Sequence, residues 1–179
     1  VVCDSQVFLK VGADCPPSVP LTSFSVLFAR YKGDLEAFAA GAAAIDRLRP
    51  GDRVLIAESC SHHAIGDDIG RVKIPRWLRQ YVGGDLAIDH VQGHDFPAGE
   101  ALARYALVVH CGGCTTNRRE ILTRVDRCRR AGVPISNYGI AIAWSLGIAE
   151  RALAPFPAAT AAAFGDAGVS GPAGIAGPA

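Results

Sequence analysis

From Gly51 onward the chain alternates short, continuous apolar runs with segments whose apolar residues recur at helical spacing. The apolar runs are Val54–Ala57, Leu86–Asp89, Leu107–Val109 and Val133–Ile135. Runs that stay apolar, instead of alternating with polar residues, suit strands buried on both faces of a parallel sheet. Helical spacing covers about 75–81, 97–104 and 117–130 between those runs, and about 140–153 after the last of them. Strand–helix alternation of this kind predicts an α/β fold with a parallel sheet and helices on both faces.

The first fifty residues read differently, as a small α/β subdomain. Val7, Leu9 and Val11 alternate with Gln6 and Lys10 and predict a strand. A proline-rich loop follows over 14–20, after which Thr22 or Ser23 can cap a helix with Phe24, Leu27, Phe28 and Tyr31 on its apolar face. A second helix is expected from Gly33-Asp34 to about Leu48, with Leu35, Phe38, Ala42 and Ile45 on one face. Its other face is mostly alanine (Ala40, Ala43, Ala44), which would let another backbone come close. The organisation read from these patterns is a subdomain over 1–50, an α/β domain over 51–157 and a mobile Ala/Gly/Pro-rich tail over 158–179 without chemistry.

Composition narrows the function. Hydrophobic residues make up 50% of the chain and charged ones 20%, with a net charge of +1. That balance offers no electrostatic case for nucleic acid or for an anionic membrane. No apolar run is long enough to span a bilayer, so the cytoplasm is the expected location. The chain contains no methionine and opens on Val1-Val2-Cys3, and so reads as a piece of a longer protein. Its six cysteines do not have the spacing of a small disulfide scaffold. Cys60, Cys111 and Cys114 lie among histidines, whereas Cys3, Cys15 and Cys128 do not. Cys128 falls on the apolar face of its helix and is expected to be a buried structural cysteine.

The chemistry concentrates in two clusters. Glu58-Ser59-Cys60-Ser61-His62-His63 follows the first apolar run directly, and His110-Cys111-Gly112-Gly113-Cys114 follows the third. Open parallel sheets bind ligands beyond the carboxyl ends of their strands, and both clusters fall there. If those strands are neighbours, three sulfurs can converge although 50 residues separate Cys60 from Cys111. Two cysteines with two residues between them can chelate one centre from one turn. Gly112 and Gly113 permit positive φ and a close backbone approach. Asn117 with Glu120 three residues on has the form of a capping box, so a helix should begin just past Cys114 with its positive end towards the site. That end favours thiolate over thiol.

Thiolates are the normal ligands of iron–sulfur clusters, and three of them leave one iron for His62, His63, His110 or an exogenous group. The same residue types also make a structural zinc site, and residue types alone do not separate the two. A third reading, a Cys111–Cys114 redox dithiol, leaves Cys60 and the histidines unused. Among the nearby cations, Lys73, Arg76, Arg118 and Arg119, the last two open the helix after Cys114. Arg118 is the leading candidate to hold an anionic group. His90, His94, Asn137 and Tyr138 fall at the same strand ends and are weaker candidates.

The spacing Cys60-x-His62, then 47 residues, then His110-Cys111-x-x-Cys114 resembles the cluster motif of HydF, the maturation GTPase family of [FeFe]-hydrogenases. Further stretches are similar to that family in the same order: Asp4–Phe8, Pro20–Asp34, Asp67–Gly70 with Lys73–Trp77, and Gly132–Ile140. The resemblance covers about Val1 to Pro157. It implies a dimerisation domain and a cluster-binding domain, here assigned to 1–50 and 51–157, and a scaffold or carrier function. Carried over residue by residue, it implies a [4Fe-4S] cluster held by Cys60, Cys111 and Cys114, with His62 and His110 matching the motif's histidines. Lys73 and Arg118 are then the cations expected to face the cofactor. By the same resemblance, the family takes a di-iron precursor bearing CO and cyanide from radical-SAM maturases and passes it to the apo-[FeFe]-hydrogenase, acting as a homodimer. The family also carries a GTP-binding domain. No GxxxxGK followed by Ser or Thr occurs in this sequence, so GTP is expected to act only through a domain outside it. The resemblance favours iron–sulfur over zinc.

Overall fold

The protein is represented by a computed structural model that describes residues 1–3, 7–59 and 67–165. The N-terminal part is helical. Helix α1 spans Phe8–Asp14 and α2 spans Phe24–Lys32, joined to the start of the chain by a single bridge between Val2 and Ser23. The strand expected over Val7–Val11 is therefore a helix. The alternation there is too short to distinguish a period of 2 from the helical contact pair, and Phe8 alone is buried.

Ser23 caps α2 as expected, its hydroxyl accepting from Val26 N at 3.3 Å. The buried face, however, is Val26 and Ala29; Phe24 and Tyr31 stand in solvent. The face that packs is built from the smaller side chains of the helix, not from its aromatic rings.

Helix α3 (Leu35–Ala42) starts at Asp34, whose carboxylate accepts from Ala37 N at 2.9 Å, and tightens into a 3-10 turn over Ala43–Arg47. Four parallel strands follow: β1 (Arg53–Glu58), β2 (Ala87–Gln92), β3 (Leu107–His110) and β4 (Ile135–Asn137). Their order across the sheet is β2-β1-β3-β4. Connecting them are a wide π-type turn (Ile69–Lys73) running into α4 (Ile74–Val82), then α5 (Glu100–Ala103) and α6 (Arg118–Arg130). After β4 come α7 (Tyr138–Ser145), α8 (Ala149–Leu153) and α9 (Pro157–Phe164). The α/β fold with an all-parallel sheet read from the sequence is the fold observed. The connection from β1 to β2 runs one way across the sheet, and those to β3 and β4 run the other. Right-handed crossovers then place α4 and α6 on opposite faces.

Three departures matter. The helix expected over 140–153 breaks at Gly147, whose φ of 73° ends one helix and turns the chain into the next. The tail expected over 158–179 begins as α9, which packs on α3 and stacks Phe164 on Trp144 with ring centroids 4.9 Å apart. Residues 166–179 lie outside the described residues. Finally, helix α3 does come close to another backbone, that of β4, but at Gly41 and not through the alanine face expected, of which Ala40 is exposed. A methyl group on Gly41 would stand 1.9 Å from Ile135 O. Pro134 O accepts from Val108 N inside the sheet, so Ile135 O faces outward and α3 lies along the open edge of β4. Ser136 Oγ ties the two by donating to Phe38 O at 2.9 Å. An exposed strand edge is a template for unwanted pairing, and covering it with a helix removes that liability.

Candidate metal centre at the sheet switch point

Strands β1 and β3 are adjacent, but the chain leaves β1 in one direction and reaches β3 from the other. This is the point at which a doubly wound sheet opens a crevice beyond its carboxyl edge. Both cysteine clusters fall at it. Ala57 is level with His110, and Cys111 N continues the ladder by donating to Ala57 O at 2.8 Å. Two residues past Ala57, Ser59 N donates to Cys111 Sγ at 3.1 Å. Ser59 Oγ is buried without a partner among the described residues.

Cys111 is half-buried and Cys114 exposed, both on the loop between β3 and α6. Gly113 makes that loop possible. Its φ is +65°, and a methyl group there would stand 2.4 Å from Ile121 Cδ1. The loop closes with Thr116 N donating to Gly113 O at 3.0 Å, after which Asn117 caps α6 by accepting from Glu120 N at 2.9 Å. The other half of the expected capping box takes a different course, because the Glu120 carboxylate accepts from Arg124 Nε at 3.0 Å. Cys60 and His62 lie outside the described residues, as does His63. Among the described residues no group of three His, Cys, Asp or Glu side chains converges to hold a metal ion.

His110 is fully buried, and both ring nitrogens are engaged. Arg124 Nη1 lies 3.1 Å from Nε2 and must be the donor there. Nδ1 therefore carries the proton and donates to Cys111 O at 2.6 Å. Burial, with the Arg124 charge adding to it, pushes the imidazole pKa down to about 4. The ring in this arrangement has no spare lone pair to turn towards an iron beside Cys111. It supports the backbone of that cysteine instead. Arg124 is itself buried, donates also to Gly93 O and lies 5.2 Å from the centre of the Phe96 ring.

The opposite wall is Glu58, buried at the end of β1. Its carboxylate accepts from Gln92 Nε2 at 3.0 Å and from Tyr138 Oη at 3.3 Å, and Arg71 lies 3.6 Å away. Burial first, then the Glu58 charge, raises the Tyr138 hydroxyl well above its ordinary pKa, so it stays a donor. His90 Nε2 sits 3.2 Å from Gly70 O on the same wall. Asn137 caps α7 and reaches back to Ser25 O, so it is structural. Lys73 ends the π-type turn, half-buried. Arg118 donates to Gly33 O at 3.3 Å, which directs it to the α2–α3 junction.

Sequence reasoning did not single out Arg124 or Lys32. Arg124 sits on the apolar stripe of α6 with Ile121, Val125 and Cys128, and a charge in an apolar stripe is the signal that was available. Cys128 is buried as expected, and burial pushes its thiol up to about 12. Lys32 carried no such signal.

Fold and site together define a doubly wound α/β protein with paired thiols at its switch point. The family model of the hydrogen maturase F tetramerization domain matches residues 36–155, more than half of the chain, and that of the hydrogen maturase F dimerization domain matches residues 1–33. The chain belongs to the hydrogen maturase F family, which places it in hydrogenase maturation, and both matched domains are self-association domains. No curated protein matches it.

Proposed function

We propose that this chain is the cluster-binding part of a hydrogenase-maturation carrier and holds a [4Fe-4S] cluster at the β1–β3 switch point. The observation that supports this most strongly is the Ser59 N–H donated to Cys111 Sγ. It brings the segment that continues into Cys60 against the loop that carries Cys111 and Cys114. Backbone N–H groups aimed at sulfur are one of the means by which a protein stabilises a thiolate and tunes a cluster.

The residues present suit the group. Two thiols share one loop, and Gly113 removes the side chain that would crowd it. The buried Ser59 hydroxyl is free to donate. Cys60, Cys111 and Cys114 would supply the thiolates; His62 remains a candidate fourth ligand, and His110 would hold Cys111 in place. When bound, such a cluster supplies an iron with an exchangeable fourth position, where a di-iron precursor bearing CO and cyanide can be held. The chain's own residues bind and orient: α6 points its positive end at the loop, and the Tyr138 hydroxyl donates to the buried Glu58 carboxylate on the wall opposite. The carrier works as a cytoplasmic self-associating protein. It receives its cargo from radical-SAM maturases and delivers it to the apo-[FeFe]-hydrogenase.

Anaerobic reconstitution with iron and sulfide tests this. About four irons per chain, with a reduced-cluster EPR signal lost in C60A, C111A and C114A, is the expected result. Stoichiometric zinc without iron uptake would leave a structural zinc site.

A further inference from the structure

Lys32 is the last residue of α2, and its ammonium reaches across to the thiol loop. Nζ lies 2.5 Å from Thr116 O, 3.4 Å from Gly113 O and 3.5 Å from Cys114 O. An ammonium has three N–H donors, and here three carbonyls of one short loop surround it. Four residues earlier on the same helix face, the Phe28 ring lies 5.6 Å from that nitrogen, and a methyl group on Gly112 would meet the ring at 3.6 Å. One turn of α2 thus seats both ends of the loop.

The convergence has an electrostatic consequence. The reversal at Gly113 turns three carbonyl dipoles towards one point beside Cys114. Without a cation, their negative ends would repel one another and any anionic sulfur on the same loop. We infer that Lys32 is a positioning residue for the thiol loop, through which the docking of the dimerization segment sets the geometry and charge of the Cys111–Cys114 pair. Lys32 falls within residues 1–33 and the thiols within 36–155, so the contact crosses the boundary between the two matched domains. A shift of α2 on self-association would move the ammonium relative to the thiols. The effect on the cluster rests on the function proposed above; the effect on the loop does not.

The two parts are therefore tested separately. In the metal-free chain, amide hydrogen exchange is measured on peptides covering 111–116 for the parent, K32M and K32R. Losing hydrogen bonds from a charged donor should speed exchange there by about tenfold or more in K32M. K32R, which keeps charge and donors, should recover at least half of the logarithm of that change. Exchange in K32M within about twofold of the parent overturns the inference, as does an equal rise across the sheet and α6, which would mark general loss of fold. After reconstitution, K32M should shift the cluster's reduction potential to more negative values while K32R does not, since net charge near a cluster sets its potential. An unchanged potential in K32M removes the charge part of the inference. A parent chain that takes up no iron refutes the cluster reading while the exchange result still decides the loop.

Discussion

Adjacent glycines in the thiol loop make opposite predictions, and the pair is a sharp test of the site. At Gly113 a substituent faces two penalties. The φ of +65° places a non-glycine residue in the left-handed region, at a cost of about 1–2 kcal/mol. The added methyl group would stand 2.4 Å from Ile121 Cδ1, the far end of a buried side chain on α6. Ile121 can yield only by leaving its rotamer or displacing its neighbours, which overpacking data place at about 1–3 kcal/mol. Together these destabilise G113A by about 2–5 kcal/mol. For a chain of this length each kcal/mol moves the melting temperature by about 2–4 °C, so a drop of about 4–20 °C is expected. At Gly112 the methyl group would be exposed and 3.6 Å from the Phe28 ring, an ordinary contact. G112A should therefore stay within about 0.5 kcal/mol of the parent, as exposed substitutions generally do. The assay is urea unfolding of the metal-free chain followed by circular dichroism, with iron content after reconstitution as the second reading. If strain is relieved by local rearrangement of the loop, G113A keeps its stability and loses iron. Equal stability and equal iron content in the two variants would refute the reasoning.

Two further outcomes follow from the same geometry. Replacing Gly41 by alanine gains about 1 kcal/mol of helix propensity, but the new methyl group would sit 1.9 Å from Ile135 O and 2.4 Å from its carbonyl carbon. A backbone cannot yield as a side-chain tip can, so the clash should win and G41A should lose at least about 2 kcal/mol in denaturant unfolding; a gain would show that α3 does not lie on the β4 edge. The second outcome concerns pH. His110 titrates at about 4 when folded and near 6.5 when unfolded. Between those values the unfolded chain binds more protons, so stability is complete above about pH 6.5 and falls by about 3 kcal/mol as the pH drops towards 4. Urea midpoints across that range check it for the metal-free chain, and H110Q should flatten that part of the profile; a parent profile already flat would mean the ring is not buried neutral.

The layer architecture was legible in the order of apolar runs and helical periods along the chain. Four continuous apolar runs separated by helical periods predict parallel strands, and each run overlaps one, with ends up to three residues away and β4 shared only at Ile135. The sequence also placed Cys111, Cys114 and the segment leading to Cys60 at strand ends, because motif position relative to an apolar run is local information. Two caps were legible for the same reason: Ser23 and Asn117 each accept from the amide three residues on. Strand order was not local. That β1 and β3 are neighbours, so that Ser59 N reaches Cys111 Sγ, depends on which crossovers the packed helices allow.

Packing between elements set which face of α2 is buried, that α3 covers a strand edge at Gly41, and that His110 serves Arg124 and Cys111 O. It also brought Lys32 to a loop more than eighty residues away. Side chains with long stems or two usable nitrogens have many possible partners. Hydrophobic period constrains where their backbone lies, but the partner they find is set by which elements pack beside them, and that is a property of the assembled fold.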